Sequence, residues 1–129
     1  MIFLYDFHVY KKFKRTTQLK DFFSILDVLV LPSIDPLESF WMVQVESMFN
    51  NTPVIASNMP WVNEVVNKTG FGYLTIPKSS ADLAIQIEKM IQEKEKYREL
   101  RQNNTIKETV LKDFATEKTV EDYIKVFKI

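Results

Sequence analysis

The sequence predicts an α/β fold, a short parallel sheet covered by helices and continued into a helical tail. Two apolar runs, Val28-Leu29-Val30-Leu31 and Val54-Ile55-Ala56, lack the polar alternation of a half-exposed strand. They suit parallel strands buried on both faces. A stretch with helical spacing lies between them, so strand, helix and strand form a βαβ unit with a right-handed crossover. Beyond Ser79 the apolar residues recur at helical intervals.

The elements follow in order. Ile2-Phe3-Leu4-Tyr5 is a short apolar run of strand character. The basic run Lys11-Lys12-Phe13-Lys14-Arg15 is assigned to a solvated loop, with contact to phosphate or an anionic membrane as the alternatives. Leu19, Phe22, Phe23 and Leu26 recur at helical spacing. Asp27 to Ser33 is the clearest strand, and Pro32 stops it. After the loop Ile34-Asp35-Pro36-Leu37-Glu38, Ser39 caps a helix running from about Phe40 to Asn50. Pro53 to Ser57 is a second buried strand and Phe71 to Ile76 a third. Ser79 or Ser80 then opens a helix with the stripe Leu83, Ile87, Met90 and Ile91. Glu93 to Arg101 is a charged run with Tyr97 and Leu100 on one side, read as a solvated helix face. Val120, Tyr123, Ile124 and Phe127 form the last stripe.

Composition excludes several kinds of function. A chain of 129 residues fits one domain, and 46% hydrophobic residues supply a real core. Seventeen basic residues balance seventeen acidic ones, so no global field favours nucleic acid. There is no cysteine, which removes disulfides, thiol catalysis and zinc-thiolate sites. No signal-peptide pattern opens the chain, and no apolar stretch approaches the roughly 20 residues of a membrane span. The expectation is a soluble, cytoplasmic protein whose membrane contact, if any, is peripheral. Glycine occurs only at Gly70 and Gly72, so glycine-rich phosphate loops are excluded. Phosphate here has to be held by a helix N-terminus or by side chains.

The segment Pro32 to Ser57, PSIDPLESFWMVQVESMFNNTPVIAS, carries the chemistry. In an open parallel sheet, ligands bind outside the carboxyl ends of the strands. The loop Ser33 to Glu38 stands at such an end and leads into a helix N-terminus, whose free N–H groups and dipole favour an anion. Glu38 lies at the mouth of this helix and Glu46 two turns along it, about 12 Å apart on the axis at 1.5 Å per residue. A carboxylate only accepts hydrogen bonds and suits paired sugar hydroxyls. Two of them flanking a diphosphate site fit the two sugars of a nucleotide-sugar. Read without a family, Glu38 is a loop carboxylate near a helix start and Glu46 a residue on the wetter side of its helix. Against that, a helix between two buried strands is largely covered, and an unpaired carboxylate there is costly.

Glu38-x-Phe40, Glu46-x-Met48 and Thr52-Pro53-Val54-Ile55-Ala56-Ser57 together resemble the E-x7-E segment of glycosyltransferase family 4, retaining enzymes of the GT-B architecture. Asp27 to Ser33 before it, Pro60-x-Val62-x-Glu64-Val65-Val66 after it and Thr69-Gly70-Phe71-Gly72 beyond agree with the same pattern. The resemblance covers roughly Leu19 to Gln92, and the tail to Ile129 is compatible with closing helices. It implies a partial Rossmann-like domain, the later half of the donor-binding C-terminal domain, spanning residues 1–129 as one unit. By the resemblance Glu46 holds the donor ribose and Glu38 is the catalytic carboxylate beside the transferred sugar. The backbone N–H groups of Ser39, Phe40, Trp41 and Met42 face the diphosphate and sugar. The implied reaction is retaining glycosyl transfer from a UDP- or GDP-linked sugar with no metal and no cofactor, through an oxocarbenium-like state.

Three glycines of the family pattern are replaced. Trp41 stands in E-x-F-G, Asn51 in G-x-P-V, and Trp61 after Pro60. Asparagine tolerates the left-handed conformation; an indole at Trp41 reshapes the donor pocket or closes it. Trp61 is read as exposed or as a lid, His8 and the phenylalanines as structural. The acceptor domain of a full enzyme has no counterpart here. The chain is therefore expected to be a fragment, a split subunit or a remnant, inactive alone, whose partners are a nucleotide-sugar and an N-terminal domain or partner chain. The alternative is a non-catalytic interaction module derived from such a domain.

Overall fold

In the computed structural model, four short strands lie side by side in chain order, all parallel. The structure describes residues 2–4, 17–35 and 41–114. The elements are β1 (Ile2–Leu4), α1 (Thr17–Ser24), β2 (Val28–Leu31), α2 (Trp41–Phe49), β3 (Val54–Ser57), α3 (Glu64–Thr69), β4 (Gly72–Thr75), α4 (Ser80–Gln92), α5 (Lys94–Arg101) and α6 (Thr105–Phe114). The predicted α/β class and parallel sheet are what the chain forms. His8, the basic run Lys11 to Arg15 and the stripe Val120 to Phe127 lie outside the described residues.

Why the central strands sit where they do follows from their side chains. Every residue of β2 and β3 is buried, so both faces of this pair are covered, as the unbroken apolar runs require. Leu29 pairs with Val54, Val30 with Ile55 and Leu31 with Ala56. β1 and β4 are the edges among the described strands, and their side chains include exposed or half-buried ones such as Ile2, Tyr73 and Leu74. Successive strands that are neighbours, joined right-handedly, carry α1, α2 and α3 to one face of the sheet. α6 packs on α2 and α3, and buries Ile106 and Val110 there. Each such side chain stabilises the fold by about 1.5–3 kcal/mol.

Two helix ends explain the sharp turns into β3 and β4. α2 closes with Asn51 at φ +60, its N–H donating to Met48 O at 2.9 Å, while Thr52 N–H donates to Ser47 O at 2.9 Å. This is a left-handed cap in which asparagine takes the place glycine usually fills. α3 closes on Gly70 at φ +63, whose N–H donates to Val66 O. Thr52 Oγ1 also donates to Phe23 O at 2.7 Å and ties this turn to α1.

The charged run departs from its reading as a solvated face. α5 is exposed along most of its length, but Tyr97 is buried against Phe71 and Tyr73, with ring centroids 5.6 and 5.8 Å away. Burial, helped by Glu93, pushes the Tyr97 phenol up to about 12. Arg101 donates to two carbonyls at the entrance of β2, Leu26 O at 2.6 Å and Asp27 O at 2.8 Å. The helix is thus a clasp across the amino ends of the strands. In the preceding helix Met90 is buried and Leu83 and Ile87 are half-buried, whereas Ile91 is exposed. No described helix is long and apolar enough to cross a membrane.

Candidate functional site

The carboxyl ends of β2, β3 and β4 open on one side into a cleft of about 270 Å³. Its walls come from the three segments that leave the strands, with Pro32 and Ile34 after β2, Ser57 closing β3, Thr75, Ile76 and Lys78 after β4. This is the end of a parallel sheet where strand-to-helix connections converge and ligands are held. A larger cavity, about 350 Å³, opens at the amino ends between Ile2, Val28, Met90 and Tyr97. It lies beneath the α5 clasp, at the end of the sheet opposite the one where open α/β sheets hold ligands.

The cleft is a rigid construction. Ser57 Oγ approaches Leu31 O at 3.4 Å, bridging β3 to β2. Asp82, in the first turn of α4, accepts from Ile76 N–H at 2.7 Å and from Thr75 Oγ1 at 3.0 Å through one carboxylate oxygen. The backbone N–H of Ile76, then the Thr75 hydroxyl and the Gln86 amide, hold the Asp82 carboxyl below the usual range. Ser79 Oγ in turn accepts from Asp82 N–H at 3.1 Å, so Ser79 is the cap of α4. At this helix start the N–H of Asp82 is held by Ser79 Oγ and that of Leu83 by Ser79 O. Lys78, at φ +62, lines the cleft together with Ser79 and Ser80 at the α4 N-terminus.

α2 is the helix that the sequence singled out, and Trp41–Phe49 matches the expected span. Glu46 sits within Val43–Phe49, seven consecutive buried residues, and is 2% exposed. The reading of Glu46 as a wetter-side residue is therefore wrong, and the covered-helix reading is right. Met42 is half-buried, and Trp41 opens the helix. Glu38, Ser39 and Phe40 lie outside the described residues, so the separation expected between Glu38 and Glu46 does too.

Two features escaped the sequence, and a third, Trp61, was read there as exposed or as a lid. Gln44 is fully buried, and its Nε2 donates to Val62 O at 2.8 Å, holding the turn after β3 to the first part of α2. Its Oε1 is buried with no hydrogen-bond partner among the described residues. The only signal was one amide inside the apolar run Val43 to Val45. Asp82 had a clearer one, since Ser79-Ser80-Ala81-Asp82 has capping-box spacing. Trp61 takes φ +69 and is 74% exposed, so the position keeps a backbone conformation suited to glycine while carrying an indole.

The comparisons with known proteins agree with this geometry. The family described as glycosyl transferases group 1 matches residues 5–107. An uncharacterized glycosyltransferase of Methanocaldococcus jannaschii is 26% identical over 121 residues, which are 94% of this chain and 30% of that protein. The crystal structure of a glycosyltransferase from Rickettsia africae ESF-5 superimposes with a TM-score of 0.68 at 20% identity, over 87% of this chain and 29% of that one. The chain thus spans about a third of the length of the relatives it matches.

Proposed function

Because the chain belongs to the glycosyl transferases group 1 family, we propose that it is the nucleotide-sugar-binding part of a retaining, metal-independent glycosyltransferase of family 4 and GT-B architecture. Residues 1–129 form one partial donor-binding domain that acts with an acceptor-binding domain or partner chain and does not turn over alone. The observation that carries this reading is Glu46, a carboxylate 2% exposed on the helix joining the two most buried parallel strands. A carboxylate only accepts hydrogen bonds, and both hydroxyls of a ribose diol donate to one such group. Glu38 takes the transferred sugar. The N–H groups of Ser39, Phe40, Trp41 and Met42 take the diphosphate of a UDP- or GDP-linked donor. At 2% exposure Glu46 is closed to solvent in the free chain, so binding requires it to open toward the carboxyl-end cleft.

An amide NMR titration of the chain with UDP, GDP and ADP tests this. One nucleotide should shift a cluster of peaks in α2 and around the cleft. Glu46→Ala should weaken that binding about tenfold or more, as expected for lost charge-assisted hydrogen bonds. A well-dispersed spectrum that responds to no nucleotide sinks the donor-site reading and leaves an interaction module in its place.

A further inference from the structure

We propose that Trp61 is a saccharide-stacking platform on the turn that leaves β3 beside the cleft, an inference that rests on the glycosyl-transfer reading above. In the free chain neither the backbone nor the side chain of this residue is rewarded. Its φ of +69° is a conformation that bulky L-residues rarely adopt. Its indole is 74% exposed and so adds little to the core. Such a combination marks a position whose use lies outside the core.

The conformation persists because everything around Trp61 is tied down. Asn58 N–H donates to Thr75 O at 2.8 Å and Met59 N–H to Ser57 O at 2.8 Å. Val62 N–H and Asn63 N–H both reach Met59 O, at 3.1 and 2.9 Å. Asn63 Nδ2 donates to Asn58 Oδ1 at 2.8 Å, and Gln44 holds the carbonyl of Val62 from α2. The Val62 side chain is buried. The turn is therefore a rigid mount, and the indole is what it presents. The turn leaves β3 at Ser57 and is bonded through Asn58 to Thr75, and Ser57 and Thr75 are both cleft walls.

The chemistry of the occupant follows from the indole. A flat apolar face complements the C–H face of a pyranose ring, and the Nε1–H donates to a ring hydroxyl. The donor's sugar and a saccharide acceptor share that ring chemistry. Trp61 is thus a contact residue for the sugar, while Gln44 is a positioning residue acting through the Val62 carbonyl.

The two side-chain indole N–H peaks of the nitrogen-15 spectrum, assigned with Trp61→Phe, report the test. The chain is titrated with UDP, UDP-glucose, GDP and GDP-mannose, and separately with free maltotetraose and mannotriose. The Trp61 peak should move with a nucleotide-sugar or an oligosaccharide and stay still with the bare nucleotide. A response to the nucleotide-sugar alone identifies the donor's sugar as the occupant; a response to the oligosaccharide identifies an acceptor. Trp61→Gly should weaken saccharide-dependent binding about tenfold, as loss of an aromatic stacking contact does. Bare-nucleotide affinity should be unchanged, and the melting temperature should rise, because glycine relieves the positive φ. A purely structural tryptophan would lower the melting temperature and leave sugar binding alone. If the chain binds bare nucleotide but Trp61 ignores every saccharide, the platform is overturned and the donor site stands. If no nucleotide binds yet an oligosaccharide moves Trp61, the donor site falls and the platform stands. Silence toward all ligands overturns both.

Discussion

Gly72 opens β4, the strand that supplies one wall of the cleft, and its replacement by alanine is a demanding test of how that strand is seated. A Cβ built there lies 1.8 Å from Val54 O, 2.8 Å from Val54 C and 3.0 Å from Val54 N. All three are backbone atoms of β3, so no rotamer change can make room, and β4 has to back away at the point where Gly72 pairs with Val54. That weakens the bond from Val54 N–H to Phe71 O, now 3.3 Å, together with a neighbouring ladder bond. At about 1 kcal/mol for each bond, plus about 1–3 kcal/mol for holding alanine near φ +156, the loss is about 3–5 kcal/mol. At Gly70 the same substitution meets nothing within 4 Å and carries only the strain of φ +63, about 1 kcal/mol. With an unfolding entropy of about 2.1 cal/mol/K per residue, 129 residues convert each kcal/mol into about 4 °C. Thermal melts followed by circular dichroism should therefore place Gly72→Ala about 12–20 °C below the parent and Gly70→Ala about 4 °C below it. If Gly72→Ala melts within about 5 °C of the parent, or above Gly70→Ala, the close approach of β4 to β3 is not as described.

Two further substitutions probe the ends of the sheet. Arg101→Met removes both bonds that Nη2 donates to the carbonyls of Leu26 and Asp27 and should lower stability in urea titrations by about 2–3 kcal/mol. Asp82→Asn tests the cap network through pH. The folded carboxyl titrates below 3.8, so its stabilisation is present above that pH and is lost as pH falls through the lower folded value. Urea titrations across acid pH should show the parent losing its advantage over Asp82→Asn below 3.8, and an advantage that stays constant there would refute the network.

Much of the fold was legible because its determinants are local. Unbroken apolar runs require cover on both faces, and β2 and β3 are buried throughout. The α4 cap fell to Ser79, one of two serines the sequence offered, since its Oγ reaches Asp82 N–H. Asn51 was read as tolerating the left-handed conformation and adopts it at φ +60. The charged run was legible only in part. Its spacing located Tyr97 on one side, but burial of that ring depends on Phe71 just before β4 and Tyr73 within it, both distant in the chain.

By itself the sequence determined the class of the chain, the βαβ unit, the helix that carries Glu46 and the family pattern around it. Those follow from hydrophobic period, capping residues and motif order, all of which act over a few neighbouring residues. Only the tertiary structure decided that Glu46 is enclosed, since burial depends on what packs over a helix and not on the helix alone. It likewise decided that Gln44 reaches Val62, 18 residues on, and that Arg101 reaches back 75 residues to Leu26. The conformation of Trp61 belongs to the same group. Its φ is imposed by hydrogen bonds from β4 and α2 onto the turn around it, and no residue type next to it in the chain encodes that constraint.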